Sequence, residues 1–102
     1  MRVIYRAAAL DEIRDAFAWD LKEAGQLQAQ RFRDEFNAKL ALLVAHPPGG
    51  TAGAPGAPGT NDIRQMPLKV FPYTVYFKVQ GDVIRVFAVA HHKRRPGYWL
   101  KR

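Results

Sequence analysis

The chain has 102 residues, 48 % hydrophobic and 25 % charged, which suits one domain with a single modest core and argues against a disordered chain. No apolar run approaches the ~20 residues of a membrane span, residues 1–5 read as a strand rather than a secretory signal, and no cysteine is present to build a disulfide framework or act as a thiolate nucleophile, so a cytoplasmic protein is expected. The net charge of +7 is segregated: residues 1–62 hold seven Lys/Arg against eight Asp/Glu, and residues 63–102 hold nine against one, Asp82. A balance of −1 followed by +8 predicts a basic face that attracts polyanions, whether nucleic acid or an acidic protein segment.

Taken in chain order, residues 2–6 carry Val3, Ile4 and Tyr5 and read as a short strand. Residues 8–24 turn helical, with Leu10, Ile13, Phe17 and Leu21 on one stripe and Asp11, Glu12, Asp15, Asp20 and Glu23 mostly off it. Acidic residues are expected in the first turn, where the helix dipole favours them, and Gly25 stands where a helix should stop. A second helix is predicted over residues 27–45, burying Phe32, Phe36, Leu40 and Leu43 with Ala29 and Val44 beside them. His46-Pro47-Pro48 should end it, because the residue before a proline is pushed out of helical geometry. Two amphipathic helices joined at Gly25 predict an antiparallel hairpin that still needs a sheet to cover. Residues 47–60 contain only Gly, Pro, Ala and Thr, which predicts a flexible loop and a tolerated insertion rather than a gating lid.

Beyond the loop the period becomes two. Residues 63–68 are a candidate strand weakened by Pro67. Residues 69–79 form a stronger one, with Pro72 near its start suggesting an edge or a bulge. Gln80-Gly81-Asp82 reads as a tight turn, returning into a strand over residues 83–91. Strict alternation puts Ile84, Val86, Ala88 and Ala90 on one face and Arg85, Phe87, Val89 and His91 on the other. Apolar residues on both faces make this strand central, and Ala88 and Ala90 look small enough to let a helix approach. The expected fold is α+β in the order β-α-α-β-β-β, a single domain over residues 1–102. Its helical hairpin should lie on one face of a small, mainly antiparallel sheet, leaving the other face partly open.

Three stretches then read together: Phe71-Pro72-Tyr73-Thr74-Val75-Tyr76-Phe77, the run from Asp82 to His91, and Arg94-Arg95-Pro96-Gly97-Tyr98-Trp99. With Ala8-Ala9-Leu10-Asp11-Glu12-Ile13, Trp19 and Arg31-Phe32, they resemble the RelE/ParE toxin superfamily, specifically its ParE-like branch, often called plasmid stabilisation proteins. The resemblance covers nearly the whole chain except the Gly/Pro/Ala loop. It implies the toxin of a type II toxin–antitoxin system, bound in a hetero-oligomer by a cognate antitoxin whose acidic, partly disordered segment folds on binding. No cofactor, no metal and no membrane association are expected. The resemblance also leaves two targets open, since RelE-like members cleave mRNA on the ribosome without a metal and ParE-like members inhibit DNA gyrase.

Metal-free RNA cleavage needs a base, cations around the phosphorane and an acid for the leaving oxygen. Arg64 and Lys69 as phosphate clamps, His91 as base or acid, Arg94 as a further cation and Tyr98 near the nucleotide are the candidates. A histidine titrates in a suitable range. No spacing among them is diagnostic, and each has a plainer use. His91 can hydrogen-bond the backbone, His92 can sit exposed, and Lys93, Arg94 and Arg95 can form a solvated basic turn. Of Tyr98 and Trp99, at least one is expected to fold back as core. His46, His91 and His92 lack an acid cluster to complete a metal site. The non-catalytic, gyrase-directed reading is preferred, and it is what the ParE-like resemblance implies more than what the residue chemistry shows; Arg64, Lys69, Arg85, His92, Lys93, Arg94, Arg95, Tyr98, Trp99, Lys101 and Arg102 are the partner- or target-binding set. A plain basic nucleic-acid-binding module is the remaining alternative, and steep salt dependence would reveal it.

Overall fold

The computed structural model describes residues 2–45, 51–52, 63–95 and 97–101. The described elements are β1 (Arg2–Tyr5), α1 (Ala7–Ala24), α2 (Gln26–Ala45), β2 (Thr51–Ala52), β3 (Arg64–Pro67), β4 (Tyr73–Gln80), β5 (Val83–His91) and a 3-10 turn over Tyr98–Lys101. The expected β-α-α-β-β-β order holds, with the two-residue β2 added where only loop was anticipated. The rest of the Gly/Pro/Ala segment, and the His46-Pro47-Pro48 helix stop, lie outside the described residues.

The five strands lie in the order β1-β5-β4-β3-β2. β1 runs parallel to β5, and every other pairing is antiparallel. Hairpin formation explains the β4–β5 pair, because Gly81 adopts φ 60° and closes a two-residue turn. Between α1 and α2, Gly25 takes φ 90° and its N–H caps Leu21 O at 3.2 Å, so the chain reverses into the helical hairpin there.

Several local expectations are corrected. The first turn of α1 holds no acidic residue, because the helix starts at Ala7 and its acids begin in the next turn. Its buried positions are Ala9 and Ala16, with Ile13 and Phe17 half-buried, whereas Leu10 and Leu21 are exposed. Small side chains, not leucines, meet the sheet. α2 behaves as anticipated, burying Ala29, Phe32, Phe36, Leu40 and Leu43.

The strand expected from residue 69 instead begins at Tyr73. The backbone N–H groups of Lys69 and Val70 donate to the Glu35 carboxylate of α2 at 2.7 and 3.2 Å, so this stretch is tied to a helix rather than to a ladder. Pro72 accordingly precedes β4 rather than interrupting it, and its carbonyl accepts the His92 N–H at 2.9 Å.

The irregularity in the sheet lies on β5. Tyr76 pairs with Ala88 but Phe77 pairs with Val86, which leaves Phe87 as an extra residue. A bulge reverses the parity of every side chain beyond it. Ile84 and Val86 therefore join the helix-side core with Val75, Phe77, Phe32 and Phe36, and past the bulge Val89 takes that side. Ala88 and Ala90 face away from the helices, where Ile63, Tyr76, Trp99 and the flanking Phe87 and Tyr98 form a second, smaller core. The face expected to be partly open is thus covered at this end by the C-terminal turn. The two alanines make room for an indole, not a helix.

Candidate functional site

The C-terminal end of β5 gathers the chemistry-bearing residues. After His91 the chain turns, with the Arg94 N–H donating to His91 O at 2.9 Å and the Lys93 N–H donating to His91 Nδ1 at 3.0 Å. An Nδ1 that accepts a hydrogen bond leaves the proton of the neutral ring on Nε2. The His91 ring also meets Tyr73 edge-on at 5.2 Å. His92 is exposed, with its Nε2 3.0 Å from Thr74 Oγ1.

Gly97, at φ 77°, lets the chain double back. Trp99 then buries to 1 % exposure, its ring 5.0 Å from Tyr76 and stacked on Phe87 at 6.1 Å. Tyr98 stays half-buried beside it, and the Arg94 guanidinium lies 4.0 Å over its ring, a favourable cation–π distance. The Tyr98 hydroxyl donates to Glu12 Oε2 of α1, while Glu12 Oε1 accepts the Val89 N–H at 3.0 Å.

Two clefts open on either side of this arrangement. One, of about 150 Å³, is walled by Thr74, His91, His92, Arg94, Arg95 and Tyr98, with Trp99 at its base. The other, of about 270 Å³, runs against α1 between Asp15, Trp19, Tyr73, His91, Arg94 and Tyr98. His91, Arg94 and Tyr98 belong to both. Burial raises the pKa of Tyr73 and Tyr76, and the Asp20 carboxylate raises Tyr73 further. Neither phenol is inclined to act as a phenolate.

Of the residues singled out in the sequence, His91, His92, Arg94, Arg95, Tyr98 and Trp99 come together here. Lys93 sits exposed on the same turn. Arg64 does not join them. It pairs with Phe77, and directly opposed residues share a face, so it lies on the helix side of the sheet. Lys69 is held over α2 through its backbone bond to Glu35. Arg85 donates to Gln80 Oε1 at 2.8 Å. It lies six residues before His91 on β5, about 20 Å away at strand spacing. Lys101 closes the 3-10 turn, and Arg102, like Pro96, lies outside the described residues. Among the described residues, no three His, Asp or Glu side chains are grouped as metal ligands.

Sequence reasoning missed Glu12, treated there as one acid among several off the apolar stripe. Its signal was its spacing: it falls between Ala9 and Ala16 at i+3 and i+7, on the face that packs against β5.

A third concavity lies between the helices and β1. This groove of about 440 Å³ is lined chiefly by Tyr5, Leu10, Ile13, Phe17, Phe32 and Phe36, and Arg14 and Arg33 stand at its rim. The Arg33 guanidinium lies 5.9 Å over the Phe17 ring. Arg14 makes a 3.7 Å pair with Asp11 across the exposed helix surface, an interaction of little energetic weight.

A helical hairpin laid on a mixed sheet, ending in a basic turn and an aromatic C-terminal plug, makes a small α+β fold. The solved structure titled "Chromosomal ParDE TA system from P. aeruginosa" contains a similar chain. The TM-score is 0.72 at 17 % identity, covering 89 % of this chain and 95 % of that one. No curated protein matches in sequence. A family model described as the ParE toxin of the type II toxin–antitoxin system, parDE, matches residues 3–96. The chain belongs to the ParE toxin family.

Proposed function

We propose that this ParE-family toxin inhibits DNA gyrase by binding rather than by catalysis, and that a cognate acidic antitoxin silences it in the cytoplasm. The observation that carries the reading is how the polar groups at the C-terminal end are used. His91 Nδ1 accepts a backbone N–H, His92 meets Thr74, and the Tyr98 hydroxyl is given to Glu12. Arg64 and Lys69, the intended phosphate clamps, stand elsewhere. A base, an acid and a ring of cations converging on one phosphate are what RNA cleavage needs. Held side chains presenting a shaped, basic surface suit recognition instead.

The antitoxin reading rests on the groove between the helices. An amphipathic acidic segment would lay its apolar side chains against Leu10, Ile13 and Phe17 and its carboxylates toward Arg14 and Arg33. No helix among the described residues is long and apolar enough to cross a membrane. Antitoxin-free toxin added to a gyrase supercoiling assay should block supercoiling, and added to a translating ribosome extract should leave mRNA intact. Sequence-positioned mRNA cuts with normal supercoiling would instead assign the metal-independent ribonuclease activity. Salt-sensitive binding to any nucleic acid, without either effect, would leave only a basic binding module.

A further inference from the structure

Past Val86 the outer edge of β5 has lost its partner strand, because β1 ends at Tyr5 and its last pair is Tyr5–Val86. A strand edge left bare exposes N–H groups that need acceptors. At Val89 the acceptor is a side chain 77 residues away in sequence, Glu12 of α1. The other oxygen of the same carboxylate takes the Tyr98 hydroxyl. One acid therefore ties together a helix, the end of the central strand and the returning C-terminal segment. Arg94 is carried on the Tyr98 ring, and His91 borders the same clefts.

We propose that Glu12 is the positioning residue of the target-binding end: its carboxylate, bridging Val89 N–H and Tyr98 OH, holds the segment that presents Arg94 and the Tyr98 ring to the target. This rests on the gyrase-directed reading for its activity readout, but not for its structural one. Glu12 lies on the α1 face turned to the strand end, whereas Leu10, Ile13, Arg14 and Phe17 face the helix groove. Losing Glu12 should therefore weaken target inhibition while sparing antitoxin binding.

The two tryptophans make the structural readout clean. Trp19 is 61 % exposed, so Trp19→Phe leaves Trp99 as the sole indole reporter of the C-terminal segment. In that background Glu12→Ala should red-shift the Trp99 emission with the far-UV circular dichroism unchanged. In the otherwise native chain it should raise the toxin concentration for half-inhibition of supercoiling about tenfold or more, the scale of a lost hydrogen bond to a charged group. Antitoxin affinity should stay within about twofold, too small a change to mark a lost contact. Glu12→Gln should retain most of both properties, since its carboxamide oxygen can accept from Val89 and its NH₂ can donate to the Tyr98 oxygen. Tyr98→Phe removes only the C-terminal half of the bridge and should reproduce the activity loss, which keeps the test decisive if Glu12→Ala does not fold.

The idea is overturned if Glu12→Ala leaves emission and inhibition at wild-type values. It is overturned equally if Glu12→Gln is as defective as Glu12→Ala with the segment still docked, which would mean that the charge itself meets the target. A parallel fall in antitoxin affinity would reduce Glu12 to a general stability residue. If the wild-type toxin does not inhibit gyrase, the functional reading fails, and the Trp99 emission of the variants still decides whether Glu12 holds the segment.

Discussion

Asp20 presents an oxygen, Oδ2, that is buried with no hydrogen-bond partner among the described residues, and burial raises its pKa. The charged form is thus disfavoured in the folded chain relative to the unfolded one. With the folded pKa above the unfolded value, the native state binds more protons between the two, so stability falls as pH rises through that window. Asp20→Asn should therefore raise the urea midpoint at neutral pH, and the difference should vanish below the ordinary aspartate pKa. The same substitution removes the charge that pushes the Tyr73 phenol upward, so Tyr73 should titrate at lower pH in the variant. A urea midpoint that responds to Asp20→Asn equally in acid and at neutrality would contradict this account. Trp99 poses the opposite balance, a nearly fully buried ring with a large packing gain but an indole N–H unpartnered among the described residues. Trp99→Ala should cost about 3–5 kcal/mol in chemical denaturation. Trp99→Phe should cost clearly less, because it sheds the unpaired donor, a penalty of about 1–3 kcal/mol.

At the level of elements, what could be read from sequence was whatever depended on period and punctuation. β5 runs over the residues that alternation marked, α2 buries the stripe its spacing defined, and Gly25 and Gly81 sit at the reversals their φ values require. That Tyr98 or Trp99 would fold back as core was legible too, and it is Trp99 that does so. The Phe87 bulge was not legible, because residues 86–90 are apolar throughout and no polar residue marks a change of face; the extra residue is defined only by the pairing with β4. That single residue sends Ala88 and Ala90 to the Trp99 side, which is why the alanine pair was assigned to the wrong neighbour. The true close approach of α1 is made by Ala9 at 0 % and Ala16 at 3 % exposure. The Glu12 bridge was hidden for a related reason, as its partners are 77 and 86 residues distant. Enlarging the contact tests this placement: Ala16→Leu should destabilise by about 1–3 kcal/mol through overpacking. Leu21→Ala, on the exposed side, should stay within about 0.5 kcal/mol. Equal costs for the two, measured by urea denaturation, would mean that α1 packs through the leucine stripe after all.

For the molecule as a whole, charge and apolar surface are separated in a way that assigns them different parts of one binding event. The excess of basic groups lies in residues 63–102, where Lys69, Arg85, Lys93, Arg94 and Arg95 are all exposed. The apolar groove lies across the helices, with only Arg14 and Arg33 at its rim. Long-range attraction acts on the encounter and is screened by salt, whereas buried apolar contact acts on the lifetime of the complex and is not. The acidic antitoxin should therefore associate at a rate that drops about tenfold or more as ionic strength rises from low to several hundred millimolar, the range expected of electrostatic steering. Its dissociation rate should change little over the same series. Leu10→Ala should show the reverse pattern. Leu10 lines the groove yet is 36 % exposed, so its truncation leaves the toxin's own core intact. Association should be unaffected, and dissociation should quicken several-fold, in keeping with about 1 kcal/mol for an interface side chain of that size. Real-time binding to the cognate antitoxin separates the two rates directly. An association rate indifferent to salt would remove the steering role of the basic half, and a dissociation rate indifferent to Leu10→Ala would move the antitoxin off the helix groove.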